Sequence, residues 1–185
     1  SAINEFVIAL GLNNVCLVGH SMGAAIALTA ALERSSWLAG IAMIGGASKM
    51  NVNDAILDGL QNSFEQTIDN IIKYSWYKDT GSFFKQKAKQ RMLEAGSKVV
   101  HDDFYACSRF DLTDKLAEID TPALVIASDY DRMVPLNVSQ EMAGQLTGSI
   151  FIGLENCGHF QHIEQTGKVA TEISSFLLHL RELGS

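Results

Sequence analysis

Four short segments of this chain, residues 15–18, 38–44, 123–127 and 150–154, are apolar throughout. A strand with one wet face alternates polar and apolar residues, whereas a strand without alternation is covered on both faces, as in a parallel sheet between helices. No other feature narrows the fold as far. The segments between these runs have helical spacing. Residues 2–10 set Ile3, Phe6, Val7 and Leu10 on one side, with Gly11 placed to end the helix. Residues 22–33 are rich in alanine and leucine, and residues 137–146 and 168–183 complete the set, the last with Val169, Ile173, Phe176, Leu177, Leu180 and Leu183 in one stripe. Helices alternating with buried strands predict an α/β protein.

The middle of the chain breaks this rhythm. Ile56, Leu57, Leu60, Phe64, Ile68, Ile71 and Ile72 predict one long amphipathic helix over 54–76. Further helices are predicted over 83–95, ended by Gly96, and over 99–110. No strand candidate falls among them. The expected organisation is a core of residues 1–48 and 111–185 interrupted by a helical cap, residues 49–110. A chain of 185 residues suffices for one core plus a small lid.

Between the first apolar run and its helix stands Gly19-His20-Ser21-Met22-Gly23, a G-x-S-x-G pattern. A serine on so sharp a strand-to-helix turn is strained, and glycines two residues away on either side relieve the crowding. The turn lifts the hydroxyl clear of the sheet. It also leaves the Met22 N–H at a helix N-terminus, where it can donate to a developing oxyanion. A serine nucleophile needs a base, and the base needs an acid to orient it. Each is available after a later apolar run: SDYDRMVP (128–135) offers Asp129 and Asp131, and ENCGHFQH (155–162) offers His159. Cys157, His159 and His162 lack the second distant pair that a zinc site requires, so no metal is expected.

GHSMG, then DRMVP, then GHFQHIEQ, in that order, resemble the α/β-hydrolase family, over essentially the whole chain. The resemblance implies a mostly parallel sheet flanked by helices, a partial α/β-hydrolase core with a helical cap insertion. It implies Ser21 as nucleophile, His159 as general base and Asp131 as the acid, since D-x-x-V-P is the family's usual spacing; Asp129 is the competing carboxylate. It implies cleavage of a carboxylic ester through an acyl-enzyme, with no cofactor. Small carboxylesterases and monoacylglycerol-type lipases share the pattern, as do carbon–carbon bond hydrolases and cofactor-free haloperoxidases. A ligand-binding or signalling module, or a catalytically impaired fragment, is the alternative. His20 beside the elbow and Phe160 beside the base are expected to face the substrate, and the aromatics at 64, 76, 83, 84, 104 and 110 to serve chiefly as cap packing. Gly158 is expected to make the turn before His159 flexible.

Members of the family begin with several strands before the nucleophile strand, and one of their loops supplies a second oxyanion N–H. Neither is recognisable here. The expectation is therefore a C-terminal portion of a hydrolase whose first strand exposes an apolar edge. That edge would self-associate or take up a complementary N-terminal segment. The net charge of −7 argues against nucleic acid and acidic membrane surfaces as partners, and the basic run at 85–91 reads as a solvated helix face. No stretch reaches the 18 apolar residues of a membrane span, no signal peptide is evident, and three widely spaced cysteines suit a reducing compartment. Those features predict a cytoplasmic protein with a small-molecule ester substrate.

Overall fold

A computed structural model describes residues 2–183. Its core is a four-stranded, wholly parallel sheet in the order β1 (Val15–His20), β2 (Leu38–Ile44), β3 (Ala123–Ser128) and β4 (Ile150–Leu154), so that neighbours in sequence are neighbours in space. Helix α1 (Ala2–Ala9) precedes the sheet, and α2 (Met22–Leu32) and α7 (Leu136–Gln145) make the β1–β2 and β3–β4 crossovers. The short α8 (Gln161–Glu164) and the long α9 (Thr166–Leu183) follow β4. This is a partial α/β-hydrolase core.

The pleat of the central strands builds two cores. Ile41 and Met43 of β2 and Ala123 and Val125 of β3 face one layer, packing with Ala24, Ala27, Leu28 and Ala31 of α2 and Met142 and Ala143 of α7. The intervening residues Ala42, Ile44, Leu124 and Ile126 face the other, where Val169 and Phe176 of α9 close over them. Because successive side chains point to opposite faces, a strand covered twice must be apolar at every position. β1 departs from that rule. It pairs with β2 on one edge, no strand meets its other edge among the described residues, and Val18 is 51% exposed.

Four helices stand between β2 and β3: α3 (Asp54–Asn62), α4 (Phe64–Ser75), α5 (Ser82–Ala95) and α6 (Ser97–Ser108), followed by a 3-10 turn over Thr113–Glu118. Leu60, Ile68, Ile71, Ile72, Trp76 and Val100 form their separate core. An antiparallel bridge between Lys49 and Asp111, reinforced by Lys49 Nζ to Asp111 Oδ2 at 2.8 Å, ties the two ends of this segment together. The single helix expected over 54–76 is two. Ser63 leaves the helical region (φ −148°, ψ 51°), its N–H closing α3 on the Gly59 carbonyl while its own carbonyl receives both the N–H and the hydroxyl of Thr67. The chain bends there because Thr67 packs onto the bare α-carbon of Gly59. The apolar period survives the bend, so periodicity alone gave no sign of it.

The basic run lies on α5, none of whose residues is buried; Lys89 pairs with Asp69, and Arg91 with Glu94. Among the described residues no helix is long and apolar enough to cross a membrane. The two-core arrangement makes a direct stability prediction. Ile126→Ala, in a side chain with no exposed surface, is expected to cost about 2–5 kcal/mol. Val18→Thr on the open edge is expected to change stability by less than about 0.5 kcal/mol. Urea midpoints measure both, and equal losses would contradict the assignment of β1 to the edge.

Candidate active site

Parallel strands bring their C-terminal ends to one side of the sheet, and the residues that follow β1, β3 and β4 meet there. At the end of β1, Ser21 adopts φ 53° and ψ −114°, outside both strand and helix conformations. Such a conformation costs on the order of 1–3 kcal/mol and persists where neighbouring bonds fix it. The Ser21 N–H donates to Ile44 O of β2 at 2.9 Å, and its carbonyl accepts from Ala24 N at 2.9 Å. The motif implies that both flanking glycines are sterically required; in the fold only Gly19 is. A β-carbon on Gly19 would overlap the Gly23 carbonyl, whereas one on Gly23 would meet nothing within 4 Å. Met22 opens α2, so its N–H has no acceptor within the helix.

Beyond β3, Asp131 is buried and Asp129 exposed. The Asp131 Oδ1 accepts the N–H groups of Met133 (2.9 Å) and Val134 (2.8 Å), which is what the D-x-x-V-P spacing achieves: the carboxylate folds its own loop around itself. Its Oδ2 lies 2.8 Å from His159 Nδ1 and accepts from Gln161 Nε2 at 3.1 Å. A buried carboxylate without partners would be prohibitive; this one has four. Of the two candidate acids, Asp131 is the one joined to the imidazole. Asp129 instead accepts the Cys157 N–H at 3.4 Å.

His159 is held through its backbone as well. Its N–H donates to Ser75 O at the end of α4 (2.8 Å), and its carbonyl lies 2.7 Å from His20 Nε2. Gly158 is a close-approach residue rather than a flexible one, since a β-carbon there would sit 2.5 Å from Tyr77 N. The Gly158 carbonyl accepts the Ser128 hydroxyl at 2.7 Å, and that hydroxyl in turn accepts from Gln161 Nε2 at 3.0 Å. His20 rests on the ring of His159 (centroids 4.7 Å) and on His162 (4.5 Å). Burial, and then the neighbouring His159, push the His20 imidazole down to about 3 from an ordinary 6.5. A neutral ring with Nε2 protonated is the form that donates to the His159 carbonyl.

Ser21, Met22, His20, His159 and Phe160 line one cavity of about 360 Å³, roofed by residues of the helical insertion. Of the insertion's aromatics, Phe104 reaches this cavity, while Trp76 stacks on Phe160 (4.3 Å, 14°). Phe83 and Phe84 are exposed by 63% and 46%. Ser75, Ser128 and Gln161 carry no motif that marks them; only their place beside the three marked segments could have drawn attention to them.

A model of the Alpha/beta hydrolase family matches residues 1–172. The chain is 26% identical over 196 residues to 2-hydroxy-6-oxononadienedioate/2-hydroxy-6-oxononatrienedioate hydrolase 2 of Pseudomonas putida, covering 97% of this chain and 68% of that protein. It is 26% identical over 207 residues to Monoacylglycerol lipase abhd6-A of Xenopus laevis, covering 97% of this chain but 60% of that one. The fold superposes on an esterase (EaEST) from Exiguobacterium antarcticum with a TM-score of 0.88 at 22% identity, over 95% of this chain and 71% of the other.

Two outcomes follow from the elbow and its neighbour. Gly19→Ala is expected to lower stability by about 1–3 kcal/mol through overpacking, and Gly23→Ala to leave it equal or raise it by up to about 1 kcal/mol; urea denaturation distinguishes them, and equal losses would refute the asymmetry. For His20, the unfolded chain binds a proton below about pH 6.5 that the folded protein refuses until about pH 3. Stability therefore falls as pH drops through that window, by up to about 1.4 kcal/mol per pH unit. His20→Gln should flatten the curve by that slope, and an unchanged slope would contradict the assignment.

Proposed function

The chain belongs to the alpha/beta hydrolase family, and we propose that it is a serine hydrolase cleaving a carboxylic ester through an acyl-enzyme. The observation that carries this reading is the buried Asp131–His159 pair at 2.8 Å, opening on the same cavity as Ser21 at its strained turn. With Nδ1–H donated to Asp131, His159 Nε2 presents a lone pair. Ser21 Oγ adds to the ester carbonyl as its proton passes to Nε2. The tetrahedral oxyanion forms beside the Met22 N–H, and its collapse expels the alcohol, which takes the proton back from His159. Water repeats the sequence on the acyl-enzyme and releases the acid. Asp131 fixes the tautomer and offsets the charge of the imidazolium. Neither a metal nor an organic cofactor enters these steps.

His20 acts by bracing the base through its carbonyl, and Phe160, stacked on Trp76, forms part of the substrate wall. Residues 49–110 act as the cap. The Met22 N–H is one donor of an oxyanion hole, and each such donor is worth roughly 10²–10³ in turnover. The open edge of β1 supports pairing with a further strand, from a second copy or a complementary segment.

A fluorophosphonate is expected to label the protein once, at Ser21, with labelling abolished in Ser21→Ala. Asp131→Asn is expected to reduce hydrolysis of p-nitrophenyl acetate by about 10⁴-fold while leaving the fold intact. Labelling without turnover of any ester would favour a ligand-binding module, and no labelling would reject the nucleophile.

A further inference from the structure

Helix α2 is apolar on all sides, yet Ile26 is 43% exposed. Met22, Ala25, Ile26, Thr29, Ala30 and Glu33 fall on one stripe of it, at i, i+3, i+4, i+7, i+8 and i+11, and form the floor of a second cavity of about 420 Å³. Ile3 of α1 walls one side, and Cys107 and Phe110, at and beyond the end of α6, wall the other. The one hydroxyl on the floor is spent inside the helix: Thr29 Oγ1 donates to Ala25 O at 2.9 Å, as expected of a threonine bonding back one turn. Burial keeps the Cys107 thiol up and so neutral. Among the described residues no lysine or arginine lines the cavity, and the one carboxylate that does, Glu33, lies at the far end of the stripe.

Met22 and Cys107 line this cavity and the one above Ser21 alike. The two spaces adjoin at those side chains, and Met22 follows the serine directly. From Met22 to Glu33 the floor rises 1.5 Å per residue, about 16 Å in all. Resting on the hydrolase reading above, we propose that this groove takes the distal part of an unbranched acyl chain whose carbonyl lies at Ser21, with Met22 and Cys107 as the neck between the two spaces. The substrate class is then esters of medium- to long-chain monocarboxylic acids. An acyl chain ending in a second carboxylate is disfavoured, because a charge laid on this floor would find no cationic partner.

The test measures binding of the product acids butanoate, octanoate and dodecanoate by titration calorimetry, which requires no turnover. Each methylene that enters the groove is expected to tighten binding by roughly fourfold. Ile26→Trp fills the floor, and Cys107→Trp closes the neck without touching the floor. Either is expected to lower the ratio of dodecanoate to butanoate affinity at least about 100-fold, by excluding four or more methylenes. Dodecanoate, and not butanoate, should also slow alkylation of Cys107 by N-ethylmaleimide in the unmodified chain. Affinity that does not rise with chain length, or a rise that survives both variants, overturns the groove. Failure of Ser21 to label would remove the hydrolase reading while leaving these binding measurements decisive for the groove itself.

Discussion

Four parallel strands laid down in chain order leave little choice over where their C-terminal ends fall. Every strand points the same way, so the turns after β1, β3 and β4 open onto one side of the sheet. The apolar composition of β2 and β3 suits this arrangement, because helices cover both of their faces. Ser21, Asp131 and His159 lie far apart in sequence, and the topology alone brings their segments together. Their separate loops then need only short-range bonds to finish the arrangement.

Those bonds converge on His159. Its ring meets a carboxylate anchored by two backbone N–H groups, its own N–H is bonded to the end of α4, and its carbonyl is bonded to His20 from the elbow. His159 is thus joined at once to the sheet, to the helical insertion and to the turn that bears Ser21. The arrangement couples insertion and core: displacing α4 would release a buried backbone donor, a loss of about 1–3 kcal/mol unless water replaced the partner. His20 stays neutral first because it is buried, and then because a charge on it would stand close to His159.

The sequence made the sheet, the elbow and the order of the three marked segments legible, because each rests on local patterns: apolar runs, glycine spacing, and a carboxylate three residues ahead of a valine–proline pair. Other features depend on contacts between distant residues. The break at Ser63 comes from Thr67 seating on Gly59, which leaves the apolar period intact. Gly158 looks like a flexible turn until the α4 terminus is seen pressed against it, and Gln161 and Ser128 gain their meaning only from their bonds to Asp131 and to the His159 loop. Of Asp129 and Asp131, the carboxylate that meets the His159 ring in the fold is Asp131.

The central claim is that Asp131 holds His159 with its proton on Nδ1, so that Nε2 faces the cavity of Ser21 as a base. Nitrogen-15 NMR of the labelled protein reads this tautomer directly. The account predicts the Nδ1–H form at neutral pH in the unmodified chain and its loss in Asp131→Asn. An Nε2–H imidazole in the unmodified chain, or a tautomer indifferent to Asp131, would contradict it.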